Sequence, residues 1–73
     1  MSTHETAVSM ISAEIETIPG TQFPVMAASV SRMAVVMAYS LGAISSAERD
    51  SFTKKIRGLE MTRFVELLKG EAA

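Results

Sequence analysis

Residues 23–42 read FPVMAASVSRMAVVMAYSLG, and the fold turns on how this stretch is placed. Pro24 fits the first turn of a helix, where a missing N–H leaves no bond unmade. Gly42 fits the position just past the end, where the backbone turns left-handed. The roughly 18 residues between them span about 27 Å as a helix. At 100° per residue, Phe23, Met26, Val30, Met33, Met37 and Leu41 fall on one arc. Val25, Ala28, Val35, Val36 and Tyr39 fall on a second, with Arg32 among them, and a strip of small side chains (Ala27, Ser31, Ala34, Ala38) runs between the two. A helix that is apolar on nearly all sides is buried on nearly all sides. The segment is therefore expected to have neighbours against both arcs.

On its N-terminal side, Val8, Ile11, Ile15 and Ile18 recur at steps of three, four and three, one stripe of an amphipathic helix. Ser2 followed by Glu5 matches a capping box. Ile11, Ala13 and Ile15 also alternate as in a strand, but the longer stripe favours a helix, which Ile18-Pro19-Gly20 ends. On its C-terminal side, Gly42-Ala43-Ile44-Ser45 is the length of a connection between antiparallel helices. Ser45 and Ser46 precede Glu48 and Asp50, and a serine cap with early acidic residues suits a helix start. Phe52, Ile56 and Leu59 then form a stripe that runs into Arg63, while the apolar set moves to Met61, Phe64, Val65 and Leu68. This reads as a kink or break near Gly58 followed by a short terminal helix, with one curved helix to Lys69 as the alternative. The expected architecture is all-α, a single helical domain over 1–73 with helices at 4–17, 23–41, 46–57 and 60–69. It forms a helical hairpin with an extra N-terminal helix, assembled as a homodimeric bundle.

The expectation of a second copy comes from size. A chain of 73 residues buries too small a fraction of its surface to be comfortably stable alone, and small domains add disulfides, a metal or another chain. There is no cysteine and the one histidine, His4, lies near the N-terminus, so no metal or other cofactor is expected. With 48% hydrophobic residues and a net charge of −1, the chain does not have the composition of a disordered segment. It also lacks the basic excess of a general nucleic-acid binder. Residues 23–44 are long enough to raise a membrane span, but Arg32 near the centre would cost at least about 2.5 kcal/mol there, and no Lys or Arg cluster flanks either end. Met1-Ser2-Thr3-His4-Glu5 has no positive n-region of a secretory signal. A cytoplasmic location, in a bacterial host, is the expectation.

Enzymatic readings fail on inventory. Without cysteine, and with the sole histidine near a terminus, no Ser–His or Cys–His pair can be assembled in one folded site. Glu14 and Glu16, two apart, face different sides of a helix. The four glycines stand singly, so no phosphate-cradling loop exists. A helix-turn-helix is the sharper alternative, since Ala38 and Gly42 stand where its first helix and turn would place small residues. The second helix departs from that pattern, holding Glu48 and Ser51 where buried apolar residues belong, and the Glu48/Asp50 pair does not suit a position beside phosphates. A small DNA-binding regulator therefore stays the alternative to a protein-binding module.

For the module, the Met-rich arc (Met26, Val30, Met33, Met37, Leu41) is expected to pack on Phe52, Ile56 and Leu59, as core or dimer contact. The second arc, with Arg32, Val35, Val36 and Tyr39, is then left for a partner or a second copy, the small strip permitting close approach. The N-terminal stripe covering that arc in a three-helix monomer is the competing arrangement. Arginine and tyrosine dominate binding energy at many interfaces, and Arg32 and Tyr39 lie seven apart on one face. The competing reading has Tyr39 half-buried and Arg32 reaching past it to water.

In size, helical pattern and its Leu41-Gly42-Ala43-Ile44-Ser45-Ser46-Ala47-Glu48 hinge, the chain resembles small helical-hairpin proteins encoded by bacteriophages and mobile elements, among them quorum-sensing anti-activators. The resemblance covers residues 23–69 and includes no diagnostic motif. It implies a protein that blocks a host protein, such as a transcription factor or an assembly ATPase, by occupying its surface.

Overall fold

The computed structural model describes residues 2–70 as three helices, α1 (Thr3–Ile15), α2 (Pro24–Ser40) and α3 (Ser46–Leu68), with no strand among the described residues. Each boundary has a local cause. At the start of α1 the Ser2 hydroxyl accepts from the Glu5 amide at 3.1 Å while the Glu5 carboxylate accepts from the Ser2 amide at 3.2 Å. Ser45 and Glu48 repeat this reciprocal cap at α3, at 3.1 and 2.8 Å. Two otherwise open N–H groups are thereby satisfied at each helix start. Pro24 occupies the first turn of α2. That helix ends in a Schellman turn: the Ala43 amide donates to Ala38 O at 2.9 Å and the Gly42 amide to Tyr39 O at 3.0 Å. Gly42 takes φ 75° there, a conformation that costs other residues about 1–2 kcal/mol.

α2 is central. Its C-terminal half lies beside the N-terminal half of α1, and α3 runs back antiparallel along it. Arg32 on α2 reaches Glu60 on α3 at 2.5 Å, and the Arg49 guanidinium sits 4.4 Å above the Tyr39 ring. His4 and Glu48 meet at 2.6 Å, tying the first turn of α1 to that of α3. Between the helices, Ile11, Ile15 and Ile18 from the N-terminal segment and Ile56 from α3 are buried against Ala28, Ser31, Val35 and Ala38 of α2. Large branched side chains fill a groove lined mainly by small ones, which lets the axes approach closely. The Ser31 hydroxyl, buried in that contact, is satisfied by Ala27 O at 2.9 Å.

Two expectations are corrected. First, α3 does not break at Gly58; one helix runs from Ser46 to Leu68. Gly58 lies on the outer side, and Arg63 continues the stripe of Phe52, Ile56 and Leu59 inward. Only 8% exposed, Arg63 donates from Nε to Thr21 O at 2.6 Å and from its guanidinium to Glu66 at 3.2 Å. This charge does not end the stripe; it clamps the α1–α2 connection to α3. Second, the Met-rich arc of α2 does not pack on Phe52, Ile56 and Leu59. The small strip and Val35 do so, and the methionines face outward.

The result is a thin, elongated body, 41 × 20 × 14 Å between Cα extremes, with a radius of gyration of 12.9 Å. A compact chain of this length would have about 11 Å. Its accessible surface, 4911 Å², exceeds by about 500 Å² that expected of a compact monomer of this mass. One layer of helices leaves the outer half of α2 uncovered.

Candidate protein-interaction face

The outer half of α2 carries Phe23, Met26, Val30, Met33, Met37 and Leu41, all exposed, from 46% at Val30 to 80% at Leu41. The first five follow one another at steps of three, four, three and four, the 3.5-residue repeat of a helix seam built to receive another helix. Round the same half lie Val25, Ser29, Val36 and Ser40, also exposed. No charged residue interrupts this arc.

Neighbouring helices extend it. Beside Met37 and Leu41, Met10 of α1 is exposed and lines an open groove of about 460 Å³ with Ala34, Thr6 and Ala7. At the other end, Phe64, Leu67 and Leu68 of α3 face Phe23, Met26 and Ser29 across a groove of about 650 Å³. An apolar surface thus runs the length of the molecule, with a hollow at either end and the methionine ridge between. Methionine is unbranched and polarisable, and suits contacts that must adapt.

The residues expected to hold a partner are placed differently. Val35 is buried at 1% exposure and cannot touch one, because it faces α1 and α3. Arg32 and Tyr39 share a face, but that face borders α3, where Glu60 and Arg49 engage them. Both stay partly accessible, at the edge of the exposed arc. Val36 is exposed as expected. Of the expected core set, Ile56 is fully buried and Phe52 and Leu59 pack against the core. Met26, Val30, Met33, Met37 and Leu41 do not. Met10, Phe64 and Leu68 were not assigned to any binding face by their spacing; the only signal for Met10 was that it lies off the Val8/Ile11/Ile15/Ile18 stripe.

The basic residues of α3 do not gather into one positive face. Arg63 is buried and Arg49 stacks on Tyr39 and pairs with Asp50 at 3.0 Å, which leaves Lys54, Lys55 and Arg57 exposed on the solvent side of the helix. The carboxylates of Glu5 and Glu48 are held below the ordinary glutamate value. For Glu5 the main cause is the hydrogen bond from the Ser2 amide. For Glu48 it is that from the Ser45 amide, followed by His4. These are helix-cap interactions. No helix among the described residues is long and apolar enough to cross a membrane. Comparison of the chain with protein-family models, curated proteins and solved structures finds no match.

Proposed function

We propose that this chain is a non-enzymatic protein-binding modulator that acts by laying the outer face of α2 against another protein. The observation that supports this reading is the uncharged, 3.5-periodic row Phe23, Met26, Val30, Met33 and Met37, exposed on a helix whose opposite side already holds the core. Monomers rarely expose one continuous apolar patch of this extent unless it meets something. A helical row of this kind fits a helix or an apolar groove. Arg32 and Tyr39 contribute at the edge, where a polar rim excludes water from the centre. The role that follows is occupation of a surface on a bacterial regulator, such as a transcriptional activator, inside the cytoplasm.

The test is capture from bacterial extract by tagged protein, comparing the native chain with Met33→Asp and, as a control off the face, Lys55→Ala. Loss of the captured protein with Met33→Asp and its retention with Lys55→Ala is expected. Equal capture by all three would overturn the reading.

A further inference from the structure

We propose that a second copy of this chain covers the methionine ridge, the two α2 helices packing antiparallel about a two-fold axis near Met33. This rests on the ridge being a binding face and names its first occupant.

Area is the first support. The ridge is about 27 Å long, and the molecule is 20 Å wide across its middle dimension. A footprint of those dimensions is about 500 Å² per copy, or about 1,000 Å² for the pair, which reaches the lower bound for a specific interface. The accessible surface exceeds that of a compact chain by the same order (above). Charge is the second support. A two-fold axis brings groups close to it beside their own images, so an ionised residue near the middle of the face would meet a like charge. The arc from Val25 round to Leu41 has none; the nearest, Arg32, is turned to Glu60.

The ends of the ridge set the direction. At one end Leu41 projects, the most exposed of the large apolar side chains described. At the other, Phe23, Met26, Phe64 and Leu68 wall the larger groove. An antiparallel pair places Leu41 of each copy over the larger groove of the other, filling that groove in both copies at once. A parallel pair sets groove against groove and Leu41 against Leu41, leaving both hollows open. Residue 32 is the midpoint between 23 and 41, so Met33 is the seam residue that meets its own counterpart.

The chain has no cysteine, so single cysteines at exposed seam positions report the geometry in an otherwise native protein. Sedimentation equilibrium of the purified protein is expected to give the mass of two chains at micromolar concentration. Met33→Cys is expected to oxidise to a covalent dimer. Phe23→Cys and Leu41→Cys are each expected to stay uncrosslinked alone but to crosslink with one another when mixed. Met33→Asp is expected to weaken the dimer at least about tenfold, or about 1.4 kcal/mol, with the helical circular dichroism kept in the monomer. Self-crosslinking of Phe23→Cys would overturn the antiparallel arrangement, and a single-chain mass for the native protein would overturn the second copy altogether. In that last case capture from extract still decides separately whether the ridge binds a different protein.

Discussion

Replacing Gly58 by alanine is expected to stabilise this protein. Gly58 sits inside α3, about three turns from either end of the continuous stretch Ser46–Leu68. Its φ is not in the left-handed region, and a Cβ built on it meets nothing within 4 Å. Alanine therefore enters without strain, and the difference is the backbone freedom that glycine loses in a helix, about 0.8–1 kcal/mol. In a domain of this size that raises the thermal midpoint by about 4–8 °C. The assay is thermal unfolding followed at 222 nm, with native and variant at equal concentration because association shifts the midpoint. Gly42→Ala is the companion measurement. At φ 75° the same added methyl is expected to destabilise by about 1 kcal/mol or more. A Gly58→Ala variant that unfolds earlier than the native chain would show that α3 bends or breaks there, and that the helix continuous through Gly58 is wrong.

Arg63→Ala is expected to cost about 1.5–3 kcal/mol, since it removes a buried charged donor and leaves the Thr21 carbonyl unpaired; urea unfolding checks it, and a change below about 0.5 kcal/mol would mean that Arg63 does not clamp the α1–α2 connection. Arg32→Ala, which breaks a partly exposed pair with Glu60, is expected to change stability by less than about 1 kcal/mol in the same assay. Ile56→Ala, at a fully buried position, is expected to cost about 2–5 kcal/mol, read in the same urea unfolding. Acid is expected to weaken both helix caps. The Glu5 and Glu48 carboxylates titrate below 4.5 when folded, so their contribution is complete above that value and is lost as pH falls through the lower folded one. The thermal midpoint should therefore decline on acidification below about pH 4.5, and less steeply in Glu48→Gln; an identical decline in that variant would remove Glu48 as a cause.

Spacing and punctuation in the chain were enough to establish that it is helical and where α1, α2 and α3 start, but they added a fourth start at residue 60 that does not exist. Ser2 with Glu5, Ser45, Pro24 and Gly42 act within a few residues of themselves, through hydrogen bonds and backbone angles that need no distant partner. The stripe Val8, Ile11, Ile15 and Ile18 likewise identified its own buried side, because the rest of that segment, apart from Met10 and two alanines, is polar and offers no competing stripe. On α2 the same approach lost its power. Apolar residues surround that helix, so periodicity alone could not tell the arc facing the chain's own core from the arc left outside. The larger methionines looked like core and the alanines like a contact strip.

Tertiary packing made the opposite choice, for a reason of volume. Ile11, Ile15, Ile18 and Ile56 are themselves bulky, and they pack closely only where α2 presents Ala28, Ser31 and Ala38 with a single Val35. Which side of α2 faces outward is thus a property of its neighbours' side chains and not of its own hydrophobicity. The same holds for Arg63. A charge on a stripe of apolar residues looked like the end of a helix until the Thr21 carbonyl, 42 residues away, supplied the partner that lets it stay buried. Local hydrogen bonding and periodicity are written along a chain, whereas complementarity of size and charge exists only once distant segments have met.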